Sequence, residues 1–263
     1  MEREHQADSV TTVDSRRETS EVTLTLKSNT MAASKSLHIG VFLPSSQGMT
    51  MGTQLLDLAS IDFLWALSRE YLRAVTDVLP SKDFVTKAPE IKVSYIGAAG
   101  PAGTLVPLSS SLTIQLTHHF SDNAVAPGSL DIVHVPGPDP KETWTQEALA
   151  WLKSHADHPG VDVLSVCTGI YVCGAAGLLT DKEVCGPSGL QQDLKVRFEA
   201  QNPRWVGDSV RWTRDGNFWS SGGVTNGNDL VVAFCRESGR FDPQTVELMS
   251  AIFNVGDRAR ELQ

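Results

Sequence analysis

The sequence predicts a single α/β domain built on a doubly wound, mostly parallel β-sheet with helices on both faces. Short apolar runs alternate with helical patterns along residues 37–258, the order expected of parallel strands joined by helical crossovers. One run leads straight into a helix at Cys167, and such sheets place reactive groups at the carboxyl ends of their strands. No internal repeat or linker interrupts this region, which favours one domain.

Apolar and β-branched runs predict four buried strands, at residues 37–43, 91–97, 130–137 and 161–166. The third run ends abruptly at a Pro-Gly pair, which is a turn signal. Further along, the pair Asp215-Gly216 lies between two aromatic-rich runs and predicts a β-hairpin.

Helical patterns lie between these strands. Residues 55–72 have an apolar stripe formed by Leu58, Ile61, Leu64 and Trp65. Thr143 and Gln146 form a capping-box pattern, which predicts that a helix begins there. Its buried face would consist of Trp144, Ala148, Trp151, Leu152 and His155.

Three more helices are expected in the second half of the chain. Residues 168–179 follow Cys167 directly, and Gly174 and Gly177 would let this helix pack closely on the sheet. Closing helices are predicted at 225–237 and 243–255. Asp242 and Pro243 supply an N-cap and a first-turn proline for the last one, as the sequence Asp-Pro favours.

Composition limits the function classes. Residues 1–36 are polar and rich in Ser and Thr, so we expect a disordered tail that carries no targeting signal. The net charge of −9 argues against a nucleic-acid partner, because phosphate contacts need a basic face. No apolar stretch approaches the ~20 residues of a membrane helix. The four cysteines lack a C-x-x-C pair, so we expect a reduced, cytoplasmic protein without a metal site or disulfide framework.

Cys167 is the leading candidate for a nucleophile. At a bend between a strand and a helix its side chain would face the free N–H groups of the first helical turn. Cysteines in such settings have pKa values of roughly 3.5–7.5, which favours the reactive thiolate. The alternative is an inert buried thiol, and that interpretation is kept for Cys173, Cys185 and Cys235.

Other catalytic patterns are excluded or weak. The Gly-rich segment 97–107 lacks the G-x-G-x-x-G spacing of a dinucleotide loop, and no G-x-S-x-G serine elbow occurs. No histidine follows Cys167, and the upstream ones, such as His134 on a strand and His118-His119 in a polar turn, are interpreted as structural. A carboxylate is therefore the expected proton carrier. Asp57 is the best candidate, although an acid at a helix start also suits an N-cap.

Three segments resemble parts of one known family: LSVCTGIYVCGAAGLLTDKEV around Cys167, LDIVHVPG at 130–137, and DGNFWSSGGVTNGNDL at 215–230. Over residues 37–240 the chain resembles the ThiJ/PfpI family, whose fold is flavodoxin-like and related to class I glutamine amidotransferases, with a nucleophile elbow. Within it, the Cys-Thr-Gly elbow and the Asp after Leu-Leu resemble the isonitrile hydratase branch.

The resemblance implies a role for five residues. Cys167 would attack the isonitrile carbon, Asp57 would transfer protons and Thr168 would position the reacting group, while Gly137 and Gly169 would bind substrate or an oxyanion. Water would release an N-substituted formamide. The resemblance implies a small-molecule substrate, no metal or organic cofactor and a homodimer, and we expect no nucleic-acid or membrane partner.

The chain departs from the family pattern in two places. The usual Pro-Gly-Gly loop reads Pro136-Gly137-Pro138, and proline has no N–H to offer an oxyanion. The histidine found after the elbow helix in many relatives is absent, since Val184-Cys185-Gly186-Pro187 stands there. Two alternatives to isonitrile hydration stay open: a glutathione-independent glyoxalase-like enzyme on α-oxoaldehydes, and a redox-sensing or regulatory protein that uses Cys167.

Overall fold

The protein is described by a computed structural model that covers residues 35–44 and 52–262. Nearly all of the tail predicted at 1–36 therefore lies outside the described residues.

The strands are β1 (Ser36–Leu43), β2 (Glu90–Gly97), β3 (Leu105–Pro107), β4 (Thr113–Gln115), β5 (His118–His119), β6 (Ile132–Val135), β7 (Asp162–Val166), β8 (Glu183–Val184), β9 (Arg204–Trp205), β10 (Trp212–Asp215) and β11 (Phe218–Ser221). The α-helices are α1 (Ala59–Ala66), α2 (Arg69–Ala74), α3 (Asp83–Lys87), α4 (Gln146–Ala156), α5 (Gly169–Ala175), α6 (Gln191–Arg197), α7 (Asn226–Glu237) and α8 (Pro243–Phe253).

The main sheet has seven strands in the order β10-β11-β7-β6-β1-β2-β5. Only the β10–β11 pairing is antiparallel, and the other neighbours run parallel. This confirms the predicted α/β fold with a mostly parallel sheet. The predicted hairpin is present, with Asp215 pairing to Phe218 and Gly216 at a φ of 64° in the connecting turn.

Both faces of the sheet are covered by apolar side chains. Along β1, Val41 belongs to the cluster that includes α1, α7 and α8, whereas its neighbour Phe42 belongs to the cluster that includes α4 and α5. Successive residues of a strand point to opposite faces, so the two clusters lie on the two sides of the sheet. This arrangement leaves the carboxyl ends of the strands as the place where loops from several elements meet.

The helix predicted at 55–72 is divided into a 3₁₀ turn at Leu55–Leu58 followed by α1 and α2. The division occurs because the Ser68 hydroxyl accepts a hydrogen bond from the Tyr71 N–H, which starts a new helix. Of the predicted stripe, Ile61 and Leu64 are buried, while Leu58 and Trp65 are partly buried.

Two predicted helix details were wrong. The N-cap of α4 is Thr145, whose hydroxyl accepts from the Ala148 N–H at 3.2 Å, and not Thr143. Trp144 therefore precedes the helix and does not belong to its face. In addition, His118 and His119 form the short edge strand β5 rather than a polar turn.

The glycine that brings the helix after Cys167 onto the sheet is Gly169. A Cβ at this position would lie 2.1 Å from the Val135 carbonyl oxygen of β6. The predicted packing roles of Gly174 and Gly177 were wrong, because Gly174 makes room for the ring of Phe198 and Gly177 ends the helix at a φ of 77°. The start of the elbow helix thus lies close against the backbone of β6.

We predict that Gly169→Ala destabilises the protein although alanine favours helices. The new methyl group would collide with backbone, which cannot rotate away as a side chain can, and we expect a loss of about 2–3 kcal/mol in unfolding free energy. Gly189→Ala is the matched control, because nothing lies within 4 Å of its Cβ, and its effect should stay within about 0.5 kcal/mol. Urea unfolding of both variants measures the difference, and equal stabilities would contradict the prediction.

Candidate active site

Cys167 lies at a sharp turn between β7 and α5. Its backbone has a φ of 56°, in the left-handed region that non-glycine residues rarely occupy. This conformation ends the strand within one residue and lets the helix begin at Gly169. Cys167 is partly exposed, whereas Cys173, Cys185 and Cys235 are buried.

Strand register determines which loops surround the sulfur. Val135 of β6 pairs with Ser165, and Ser221 of β11 pairs with Val166, so the segments that follow β6 and β11 flank Cys167 on either side. The backbone N–H groups of Val224 and Thr168 and the Thr168 hydroxyl contact the sulfur. The two backbone N–H groups favour a negative charge on the sulfur.

Asp57 belongs to the 3₁₀ turn before α1 and is almost completely buried, with 1% of its surface exposed. Its Oδ2 accepts a hydrogen bond of 2.9 Å from the Gly137 N–H, and its carboxylate interacts with the Cys167 thiol. Oδ1 has no regular hydrogen bond among the described residues. The N-cap interpretation was wrong, because Gln54 occupies the cap position and Asp57 is directed into the site.

The loop after β6 joins these groups. The Thr168 hydroxyl donates to the Pro138 carbonyl at 2.7 Å, and the Gln54 N–H donates to the Gly137 carbonyl at 2.9 Å. A Cβ on Gly137 would lie 2.3 Å from Thr168 Oγ1 and 2.6 Å from Asp57 Oδ2. The structure thus brings Cys167, Asp57, Thr168 and Gly137 together.

The two glycines expected to bind an oxyanion have other visible contacts. The Gly137 N–H is occupied by Asp57, and Gly169 contacts the Val135 carbonyl. Their oxyanion role stays a prediction, and Gly137 would have to release Asp57 to perform it.

Burial sets the proton affinities of the pair. It raises the pKa of Asp57 to about 7, against the opposing effects of the Gly137 N–H and the Cys167 thiol. Burial, followed by the charge of Asp57, raises the pKa of Cys167 to about 11. The predicted thiolate was therefore wrong for the resting state, because desolvation outweighs the N–H groups at the helix start. Between pH 7 and pH 11 the pair therefore holds a thiol facing a carboxylate.

His134 is buried on β6 and does not serve Cys167. Its Nε2 lies 3.0 Å from the Ser60 hydroxyl, which in turn donates to the Asp57 carbonyl oxygen at 3.4 Å. Burial lowers the pKa of His134 to about 3, so the ring is neutral. The expectation that a carboxylate and not a histidine partners the thiol fits these contacts.

No group of three or more His, Cys, Asp or Glu side chains in the described part of the chain is placed to hold a metal ion. Likewise, within the described ranges no helix has the length and apolar character needed to cross a bilayer.

Comparison with known proteins identifies the family. The DJ-1/PfpI family matches residues 73–237. The chain belongs to the DJ-1/PfpI family. It is 31% identical to an isonitrile hydratase of Pseudomonas putida over 168 residues, which cover 61% of this chain and 65% of that enzyme.

Solved structures agree in fold. A ThiJ/PfpI family protein of Pseudomonas syringae superposes with a TM-score of 0.60 at 18% identity, covering 88% of this chain and 79% of that one. DJ-1 of Schizosaccharomyces pombe gives a TM-score of 0.56 at 12% identity, covering 82% of this chain and 98% of that one. At these identities the likeness concerns the fold alone.

One contact was missed by the sequence analysis. Val224 supplies a backbone N–H to the sulfur, and neither its side chain nor its residue type indicates this. The preceding pair Gly222-Gly223, directly after the strand that pairs with β7, is the only available signal of a close approach.

We predict that Asp57→Asn lowers the pKa of the Cys167 thiol, because the carboxylate charge that opposes the thiolate is removed. The rate of alkylation by iodoacetamide as a function of pH measures the pKa, with the Cys167 peptide followed by mass spectrometry. Asp62→Asn is the matched control, since Asp62 is exposed on α1 and no shift of the Cys167 pKa is attributed to it. A pKa that is unchanged in Asp57→Asn would contradict the contact.

A second prediction concerns stability. The folded pKa of Asp57 is raised from 3.8 to about 7, so its contribution to stability is complete below pH 4 and is lost as pH rises through 7. Asp57→Asn should therefore match the wild type near pH 4 and exceed it at pH 8 by about 3–4 kcal/mol. Urea unfolding at the two pH values tests this, and a difference independent of pH would refute it.

Proposed function

We propose that this protein is an isonitrile hydratase-like enzyme that adds water to a small isonitrile and releases an N-substituted formamide. The observation that carries the proposal is the pairing of a partly exposed Cys167 thiol with the buried Asp57 carboxylate, whose pKa lies near neutral. The similarity to the Pseudomonas putida enzyme supports the same activity, although the match covers 65% of that enzyme.

The first step uses the thiol and the carboxylate together. As the Cys167 sulfur bonds to the terminal isonitrile carbon, Asp57 takes the thiol proton and passes it to that carbon. The product is a thioimidate with a C–H bond, and Asp57 is again a carboxylate. A proton carrier with a pKa of about 7 is suited to both halves of this transfer.

The second half releases the product. Asp57 accepts a proton from water as the water oxygen attacks the thioimidate carbon, and this proton passes to the substrate nitrogen. The hydroxyl proton of the resulting adduct then moves to sulfur as the C–S bond breaks. One water is consumed, the formamide departs and the Cys167 thiol is restored.

Thr168 is proposed to position the reacting group. Its hydroxyl contacts the sulfur while donating to the Pro138 carbonyl, which fixes its direction. Homodimeric assembly is part of the same proposal and rests on the family resemblance.

Two features of the loop after β6 weigh against the glyoxalase-like alternative. Pro138 has no N–H, and the Gly137 N–H is bonded to Asp57, so the loop after β6 offers little to a carbonyl oxyanion. Isonitrile attack instead places charge on carbon, where a proton from Asp57 removes it. Oxidation of Cys167 for sensing stays the second alternative.

We predict that the purified protein converts an aryl isonitrile to the formamide and that Cys167→Ala abolishes the product. Cys173→Ala is the control, because Cys173 is buried and should leave turnover in place. Mass spectrometry measures the formamide. Lack of product with the wild type would refute the proposal. Conversion of methylglyoxal to lactate would then favour the glyoxalase-like alternative, and sulfinic acid at Cys167 without turnover would favour the redox-sensing alternative.

The pH profile gives a further prediction. The active pair is a thiol with an ionised Asp57, so kcat/KM should be constant above pH 7 and fall about tenfold per unit below it. Initial rates between pH 5 and pH 9, in buffers that do not unfold the protein, measure the midpoint. A rate that falls as pH rises through 7 would mean that protonated Asp57 is the required form.

A further inference from the structure

Val224 has a backbone conformation that its side chain disfavours. Its φ is 33°, and a β-branched residue at a positive φ is a genuine outlier. The residue lies in the turn between β11 and α7, after Gly222-Gly223. Such strain persists only where surrounding contacts enforce it, so a specific contact must hold this turn.

The turn between β11 and α7 packs against the strand end that carries Cys167. Ser221 pairs with Val166, the residue before Cys167, and a Cβ on Gly227 would lie 2.6 Å from Val166 Cγ1. This close approach of the first turn of α7 brings the Val224 N–H to the Cys167 sulfur.

The opposite side of the site offers fewer donors. Pro136 and Pro138 lack an N–H, and that of Gly137 is bonded to Asp57. Among the described residues, the backbone donors that contact the sulfur come from Thr168 and Val224. The Thr168 N–H is fixed by the elbow, because Thr168 follows Cys167 directly. The position of the Val224 N–H depends instead on the turn between β11 and α7.

Arg258 contacts the side of this turn that leads into α7. Its Nη2 donates to the Thr225 carbonyl at 2.9 Å and to Asn226 Oδ1 at 3.3 Å, and its guanidinium forms an ion pair with Asp229. Asp229 is nearly buried, with 5% of its surface exposed, on the first turn of α7. A single side chain thus joins Thr225, at the end of the turn, to Asn226 and Asp229 in the first turn of α7.

Arg258 is itself anchored by the C-terminal segment 258–262. The Arg211 N–H donates to the Arg260 carbonyl at 2.7 Å, and Arg260 Nε donates to the Trp212 carbonyl at 3.0 Å. The Gly222 N–H in turn donates to the Arg211 carbonyl at 2.8 Å. The C-terminal segment therefore supports the turn from the β10 edge of the sheet.

We propose that Arg258 is a positioning residue that keeps Val224 in its left-handed conformation and so holds the Val224 N–H on the Cys167 sulfur. The inference rests on the nucleophilic role of Cys167 in the proposed function, and not on the identity of the substrate. Without the guanidinium, Val224 relaxes toward negative φ and its N–H turns away from the sulfur.

The test is the alkylation of Cys167 by iodoacetamide as a function of pH, which needs no isonitrile. Loss of the N–H removes a group that favours the thiolate, so Arg258→Gln should raise the thiol pKa by about one unit and slow alkylation about tenfold at a fixed pH below it. Circular dichroism and urea unfolding of the same samples establish that the variant is folded.

Arg260→Gln is the matched control. It removes the same charge from the same segment and breaks contacts with Trp212 and Glu183, but it does not reach the turn at Val224. It should lower stability without changing the alkylation profile. A shift equal to that of Arg258→Gln would overturn the inference, because the effect would then be general detachment of the C-terminal segment.

Val224→Gly provides a rescue. Glycine populates positive φ about as readily as negative φ, so the N–H can stay on the sulfur without the clamp. The double variant Val224→Gly, Arg258→Gln should therefore regain most of the alkylation rate lost in Arg258→Gln, and no recovery would also overturn the inference. If these results hold while the wild type forms no formamide, the isonitrile proposal is refuted and the positioning role of Arg258 stands.

Discussion

The site depends on one buried interaction, in which the Asp57 carboxylate and the Cys167 thiol share a single proton above neutral pH. Burial disfavours the charge on each group, and a charge on Asp57 further disfavours one on Cys167. The pair therefore carries one negative charge that either member can hold. In the proposed reaction the sulfur becomes a nucleophile as its proton moves to Asp57, which then passes the proton to the substrate carbon.

The parallel sheet supplies each part of this interaction from a different element. The elbow after β7 carries the sulfur, the loop after β6 fixes Asp57 through the Gly137 N–H, and the turn after β11 adds the Val224 N–H. These loops meet because β6, β7 and β11 are adjacent and parallel, so their carboxyl ends lie side by side. A site assembled this way needs close backbone approach, which explains why Gly169 has no room for a side chain.

Local sequence predicted those features that local physics controls. An apolar run that turns into a helix at Cys167 places a side chain at a strand end, and Asp242-Pro243 caps α8 as its pattern indicates. The pKa of Cys167 could not be predicted in this way. The free N–H groups at the helix start are visible in the sequence, but the burial that outweighs them results from long-range packing around Asp57. The positive φ of Val224 has the same origin, since contacts distant in sequence impose it against the preference of the residue.

The same contacts favour one kind of chemistry over another. A carbonyl substrate needs donors at its oxygen, and here Pro138 removes one while Asp57 occupies the Gly137 N–H. Two backbone N–H groups instead contact the sulfur, where they stabilise negative charge on sulfur and not on an acceptor oxygen. If the reacting carbon of a substrate loses its developing negative charge by taking a proton, the reaction needs no oxyanion site. In the proposed reaction the terminal carbon of an isonitrile meets that condition, and the proton it requires is the thiol proton that Asp57 transfers.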